Sequence, residues 1–289
     1  MRIAIIGAGS VGTNLHHAFE LKGIKTELVH ARPLTADPAA VRALPAAECY
    51  IYTVADHALV EVVSKVQAPQ ALHLHTSGSM PMTIFGDDKP HAGVMYFPQS
   101  FSREVLIDDW SGIPCIIEGR NIDDVAAIYS LAQNLTSRIY EANQHDRERL
   151  HIASIFANNY SNLMFRIAAE LLKDTQIPFE ALLPLIDRTA EKVHTLAPKD
   201  AQTGPAKRND TEVIMRHLKA LGELKDGEFF VSDIQFLYMN LAQMIQNTVL
   251  EENERMSLTD LLSQVLEASD AKARGRQAQA RRRGSFPEE

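Results

Sequence analysis

Residues 2–12, Arg2-Ile3-Ala4-Ile5-Ile6-Gly7-Ala8-Gly9-Ser10-Val11-Gly12, decide the fold. Arg2–Ile6 is a short apolar run of the kind found in a strand buried on both faces. The glycines that follow fall in a GxGxxG pattern, and Val11–Lys22 continues with helical spacing as far as Gly23. Strand, glycine turn and helix in that order give an otherwise weak pattern its meaning. Gly7 permits the tight turn, Gly9 lets the main chain approach a pyrophosphate, and Gly12 lets helix and strand pack closely. The helix N-terminus adds N–H groups and a partial positive charge. Gly7, Ala8, Gly9, Ser10, Val11 and Gly12 are therefore the expected cradle of a dinucleotide.

Working outward, strands are expected at Thr26–His30, Cys49–Val54, Ala71–His75, His91–Phe97, Ile113–Glu118 and Ser137–Glu141. Helices are expected at His57–Gln67 and Ile122–Asn134. This alternation predicts an α/β fold, a Rossmann-like, mostly parallel sheet covered on both faces. After it the strand signal stops, and an all-α second domain is expected. Gln144–Lys173 is one long helical pattern whose apolar positions cover more than one face, as in a helix buried between domains or subunits. A helix from Pro178 to His194 is expected to be kinked or divided by Pro184. After the loop Ala197–Asp210, helices are expected at Thr211–Leu221, Ser232–Leu250 and Leu258–Ala268, with Asp210 and Ser257 as N-caps. The expected division is a dinucleotide-binding domain over 1–142, a helical substrate and dimerisation domain over 143–270, and a basic, disordered tail over 271–289.

Composition narrows the function classes. The 289 residues are 45% hydrophobic and 23% charged, which excludes a disordered chain, a collagen-like fibre and a disulfide scaffold. The net charge of −8 hides an asymmetry: residues 271–289 hold six basic and two acidic side chains, leaving 23 against 35 elsewhere. An acidic body argues against nucleic acid as a partner. Cys49 and Cys115 sit in apolar stretches and read as buried, reduced thiols; no Cys/His cluster suggests a metal. No apolar run approaches the ~18 residues of a membrane span, and glycines interrupt the N-terminal apolar stretch where a signal peptide would need continuity. A cytoplasmic protein without a membrane partner is expected.

In open parallel sheets ligands bind beyond the carboxyl ends of the strands. The second strand ends Leu28-Val29-His30-Ala31-Arg32-Pro33, with no carboxylate to accept from a ribose 2′-OH and with Arg32 able to pair with a 2′-phosphate. NADP is preferred as cofactor, with NAD as the alternative. Val54-Ala55-Asp56-His57 follows the third strand and places Val54 and Asp56 near the cofactor, although Asp56 also suits a helix cap. His75-Thr76-Ser77-Gly78-Ser79 ends the fourth strand, with two hydroxyls flanking a glycine that admits a ligand closely. Gln99 and Ser100, after the fifth strand, reach the same cleft, while Tyr96, Phe97 and Phe101 read as core. On the long helix, His151, Ser154, Asn158 and Asn162 share one face, with Asn159 adjacent. Such a stripe serves either a substrate and the nicotinamide carboxamide or an interhelical polar network.

GAGSVG, VADHAL, HTSGS, PQSF, HIASIFANNY and TGPAKRND, in this order, resemble a group of oxidoreductases with a Rossmann-like domain and a helical domain of unknown function, number 2520. The resemblance covers residues 1–268 and extends more distantly to pyrroline-5-carboxylate reductases, deazaflavin-dependent NADP reductases and β-hydroxyacid dehydrogenases. It implies NAD(P) binding and a homodimer formed largely through the helices. Two departures matter. β-Hydroxyacid dehydrogenases carry a general-acid lysine three residues before the paired asparagines, where this chain has Ile155. The fifth-strand loop of the group often has histidine before proline, where this chain has Phe97.

The expected function is an NADP-dependent reductase or dehydrogenase acting on a small-molecule C=O or C=N compound. His151 is the expected proton donor and His75 the second choice, because histidine titrates near neutral pH. Ser77, Asn158 and Asn159 would position the substrate. The alternatives are a non-catalytic dinucleotide sensor and a structural partner binding through its helices.

Overall fold

A computed structural model describes residues 1–225 and 227–251. The helix expected at Leu258–Ala268, the Ser257 cap and the basic tail lie outside the described residues.

Short apolar runs form one sheet of β1 (Ile3–Ile6), β2 (Thr26–Val29), β3 (Cys49–Tyr52), β4 (Leu72–His75), β5 (Ala92–Tyr96), β6 (Cys115–Gly119) and β7 (Ile139–Glu141). Their order is β2-β1-β3-β4-β5-β6-β7. All neighbours run parallel except β5 and β6. The fold is Rossmann-like, as expected. The alternation of side chains explains how both faces are filled. Ile3 and Ile5 pack with Leu15, Phe19, Ile51, Leu74 and Ile128 on one face. Ala4 and Ile6 pack with Tyr50, Tyr52, Leu59, Val63 and Phe85 on the other. Cys49 and Cys115 are buried and unbridged, and burial raises the Cys49 thiol to about 12.

The chain leaves β1 through the glycine turn into α1 (Ser10–Leu21), returns as β2, and then crosses to β3 on the opposite side of β1. That reversal opens the crevice where such sheets hold their ligands. Two short helices, Arg32–Ala36 and Pro38–Arg42, fill the β2–β3 connection. Each begins with a proline in its first turn, and each is too short to show an apolar period in the sequence.

The chain packs as two units, the first running from Met1 to Ser161 and the second beginning at Asn162. The sheet itself ends at Glu141, but the helix Gln144–Ser154 is tied to the loops of the first unit by Arg147. In the second unit Pro184 lies in the first turn of the helix Leu183–Lys192, preceded by the 3-10 turn Phe179–Leu182. Pro184 therefore divides the segment, as one of the two expected outcomes, and stands at a helix start, where the missing N–H costs nothing. Asp210 caps the helix Thr211–Leu221 by accepting from the Val213 N–H at 3.2 Å. That helix packs on Val231–Val249 through Ile214, Leu218, Met239 and Ala242. Among the described residues no helix is long and apolar enough to cross a membrane, and no His/Cys/Asp/Glu group is placed to hold a metal.

Candidate active site

The glycine turn is built as tightly as its sequence implies. Gly7 has φ 122°, and a Cβ there would lie 2.8 Å from the Thr53 main chain. A Cβ on Gly12 would lie 1.9 Å from the Gly7 carbonyl oxygen. Thr53, just past β3, donates its hydroxyl to that same carbonyl at 2.7 Å. Gly9 differs: the nearest atom to a Cβ there would be the Thr53 carbonyl oxygen at 3.9 Å, so its outer face is open. Gly9 is also the N-cap of α1, with no side-chain cap and no acidic residue in the first turn. The N–H groups at this helix end therefore meet no competing side-chain acceptor, which suits an anion.

Gly7, Ala8 and Gly9 form one wall of a cavity of about 930 Å³. Arg32 and Val54 line it too, with His30, His57 and Glu61. So does Arg103, whose Nη2 donates to the Ala8 carbonyl. Arg103 comes from the β5–β6 connection, and its approach to the glycine turn was not foreseen. Gly12 and Ser10 line no cavity wall here; Gly12 works beneath the turn.

A second cavity, about 440 Å³, shares Thr53 and Val54 with the first. It brings together Val11, Asp56, Ser77, Gln99, Ser100, His151, Ser154, Asn158 and Asn159. Asn162 is not on its wall.

His75 is not there either. Its side chain is fully buried and stacks on Phe85 with centroids 5.7 Å apart. Nδ1 accepts from the Ser77 N–H at 3.2 Å, and buried Nε2 has no partner among the described residues. Burial first, and the Arg147 charge second, push its pKa down to about 3. A ring that is neutral at pH 7 and set beneath the loop is not placed to give a proton in the cavity. The structure makes His75 a support of the Ser77 backbone.

The loop after β4 is held by Arg147, a residue the sequence reading did not single out. Its side chain is fully buried. Nη1 donates to the carbonyls of Ser77 and Gly78 at 3.1 Å and of Met80 at 2.9 Å. Nη2 pairs with Glu118 at 3.0 Å. The loop also bonds internally: the Ser77 hydroxyl accepts from the Ser79 and Met80 N–H groups at 3.1 and 3.0 Å. Ser79 donates to Asp56 at 2.5 Å. Asp56 thus neither caps its helix, whose N-cap is Ala55, nor stands free. Gly78 leaves room for a side chain rather than for a ligand: a Cβ there would lie 2.6 Å from the His151 ring.

His151 is half-buried, and its Nδ1 lies 3.1 Å from the Tyr96 hydroxyl. The ring makes no other hydrogen bond among the described residues, so Nε2 is the nitrogen left for a ligand. Tyr96 packs with Val94, Ile116 and Leu150 as core, yet its hydroxyl is polar furniture of this cavity. Burial raises the Tyr96 pKa and keeps the phenol protonated. Immediately after His151 the helix widens into a π-turn, Ile155–Tyr160. Wide turns of this kind occur often at functional sites. Here it carries Ala157, Asn158 and Asn159 on one cavity wall, more consecutive residues than one face of a regular helix supplies.

Comparison with known proteins bears on the family and the fold. A family model described as a domain of unknown function (DUF2520) matches residues 113–245. A candidate NADP oxidoreductase from Bacteroides fragilis is 36% identical, with a TM-score of 0.75 over 85% of this chain and 98% of that one. A Thermotoga maritima protein is 16% identical, with a TM-score of 0.63 over 86% and 98%. A reductive aminase from Aspergillus terreus, solved with NADPH and ethyl levulinate, is 14% identical, with a TM-score of 0.56 over 91% and 98%. No curated protein matches the chain.

Proposed function

The chain belongs to the family of the candidate NADP oxidoreductase from Bacteroides fragilis and carries a DUF2520 match over residues 113–245, and from that premise we propose that it is an NADP-dependent oxidoreductase for a small C=O or C=N compound. The observation that carries this reading is the meeting of two cavities at Thr53 and Val54. One has the walls a dinucleotide needs, and the other has the polar groups a reaction needs. The open face of Gly9 and the uncapped α1 N-terminus fit a pyrophosphate. Arg32 makes no ion pair among the described residues and is free to pair with a 2′-phosphate. NADPH bound this way supplies a hydride from its nicotinamide.

The protein's own residues supply the rest. Ser77, Asn158 and Asn159 present a hydroxyl and two amides to orient a polar substrate. His151 in its imidazolium form gives the Nε2 proton to the substrate oxygen or nitrogen as the hydride reaches carbon, leaving a neutral ring whose Nδ1–H donates to Tyr96. Ile155 on the same wall has no proton to give. The polar lining around His151 favours catalysis over a purely sensory role, for which a filled apolar pocket would be expected. In the helical part we read a homodimer, since Ile152, Phe156 and Tyr160, spaced by four, are all exposed in the single chain. We assign the protein to the cytoplasm.

The test is a screen of keto acids, aldehydes and imines for NADPH oxidation, repeated with His151→Gln. Loss of about 10²–10⁴ in kcat with NADPH binding retained is expected. Full activity in that variant removes His151 from the chemistry.

A further inference from the structure

The β5–β6 connection is a strap that crosses from the second cavity to the first. Gln99, Ser100 and Phe101 line the smaller cavity, and Arg103, two residues later, lines the larger. The strap is fastened to α1 rather than left to solvent. Asn14, fully buried on α1, donates to the Ser102 carbonyl at 2.5 Å and accepts from the Ile107 N–H at 2.9 Å. His17 meets Asp108 at 2.7 Å, and Phe101 stacks on Trp110 with centroids 5.2 Å apart. The helix that begins at the glycine turn therefore also fixes where Arg103 starts.

The charge at the end of this strap has only a distant countercharge, in Glu104. Glu104, next along the chain, is taken up by the Ser102 hydroxyl at 2.5 Å, which with backbone N–H groups, and to a smaller extent the Arg103 charge, holds its carboxyl below the ordinary range. Arg103 makes no ion pair among the described residues; its donor contact is to the Ala8 carbonyl. A guanidinium has five N–H donors, so this contact aims the fork at the turn while leaving most donors unused. A cation fastened beside an uncapped helix N-terminus adds to that positive dipole end, and a bound anion that both could reach would offset the two.

We propose that Arg103, tied to the glycine turn at Ala8, binds the pyrophosphate of the dinucleotide alongside the turn's N–H groups, with Asn14 as the positioning residue that holds its strap. This rests on the dinucleotide reading above and divides the two arginines of the cavity by task. Arg103, tied to Ala8, serves the charge common to NADPH and NADH. Arg32, at the end of β2, serves the 2′-phosphate that only NADPH carries.

The experiment titrates NADPH and NADH into the full-length protein and into Arg103→Ala, Arg103→Lys and Arg32→Ala, with melting curves for each. Charge-assisted hydrogen bonds lead us to expect Arg103→Ala to weaken both cofactors by a similar factor, on the order of tenfold to a hundredfold, with partial recovery in the lysine variant. Arg32→Ala should weaken NADPH alone. Unaltered binding in Arg103→Ala overturns the proposal, and so does a loss confined to NADPH, which would make Arg103 a reader of the 2′-phosphate. If the alanine variant melts early, Arg103→Gln keeps a donor for Ala8 without the charge and must show the same shared loss. A wild-type protein that binds neither dinucleotide sinks the parent reading, an outcome separate from both.

Discussion

The glycine turn after β1 and the loop after β4 stand side by side on the crevice, yet they are held in opposite ways. The turn is shaped by what its residues lack. Gly7 has no Cβ to collide with Thr53, and Gly12 has none to collide with the Gly7 carbonyl. The loop is shaped by one large side chain from far away in sequence, Arg147, which gathers the carbonyls of Ser77, Gly78 and Met80. The first arrangement is local and is made by steric permission. The second is made by a buried charge that becomes costly if any partner is removed.

Breaking the loop's anchor gives the largest expected effect. Arg147→Met leaves Glu118 and three carbonyls without their donor, and should cost about 3–5 kcal/mol in urea unfolding. In protein that remains folded, kcat should fall while NADPH binding is largely kept. Breaking the turn comes next. Gly12→Ala forces a methyl group into the Gly7 carbonyl, and should cost about 1–3 kcal/mol and abolish dinucleotide binding, measured by titration. The two variants thus separate cofactor binding from chemistry.

An acid titration sharpens the contrast. His75 beneath the loop has a pKa lowered to about 3, and burial lowers His73 as well. Folded protein therefore binds fewer protons than unfolded protein between about pH 6.5 and 3. The stability His75 contributes is complete above pH 6.5 and is lost as pH falls toward 3, by at most about 1.4 kcal/mol per pH unit, and His73 adds a slope of the same sign just below pH 6.5. Urea unfolding followed from pH 7 to pH 5 should show this slope, and His75→Asn should flatten it. The smallest effect is expected at Gly78→Ala, where the new methyl displaces the His151 ring: kcat should drop about tenfold with stability changed by about 1 kcal/mol. A Gly78→Ala enzyme with unchanged kcat would show that the His151 position is immaterial.

The same contrast explains what could be read in advance. The sheet, the GxGxxG turn and Arg32 beside it were legible because strand periodicity and glycine spacing are contiguous signals. The gathering of Ser77, His151, Asn158 and Asn159 was legible from loop position and helix face, and the structure brings them to one cavity. His75 was misplaced because an apolar strand ending in histidine does not reveal whether the ring points up into the crevice or sideways into the core. Here it stacks on Phe85. Arg147 left a trace that was passed over: it lies four residues before His151, one turn earlier on the same stripe. Thr53, Tyr96 and Arg103 left none, since each acts across the sheet on residues 46, 55 and 95 positions away. The π-turn was equally silent, because Ile155–Tyr160 has the composition of ordinary helix.

The measurement closest to the central claim is a structure of the protein with NADPH bound. The pyrophosphate is expected on the N–H groups between Gly7 and Gly12, and the nicotinamide C4 facing the cavity of Ser77, His151 and Asn158. A nicotinamide lying outside that cavity, or turned so that C4 faces away from His151, would contradict it.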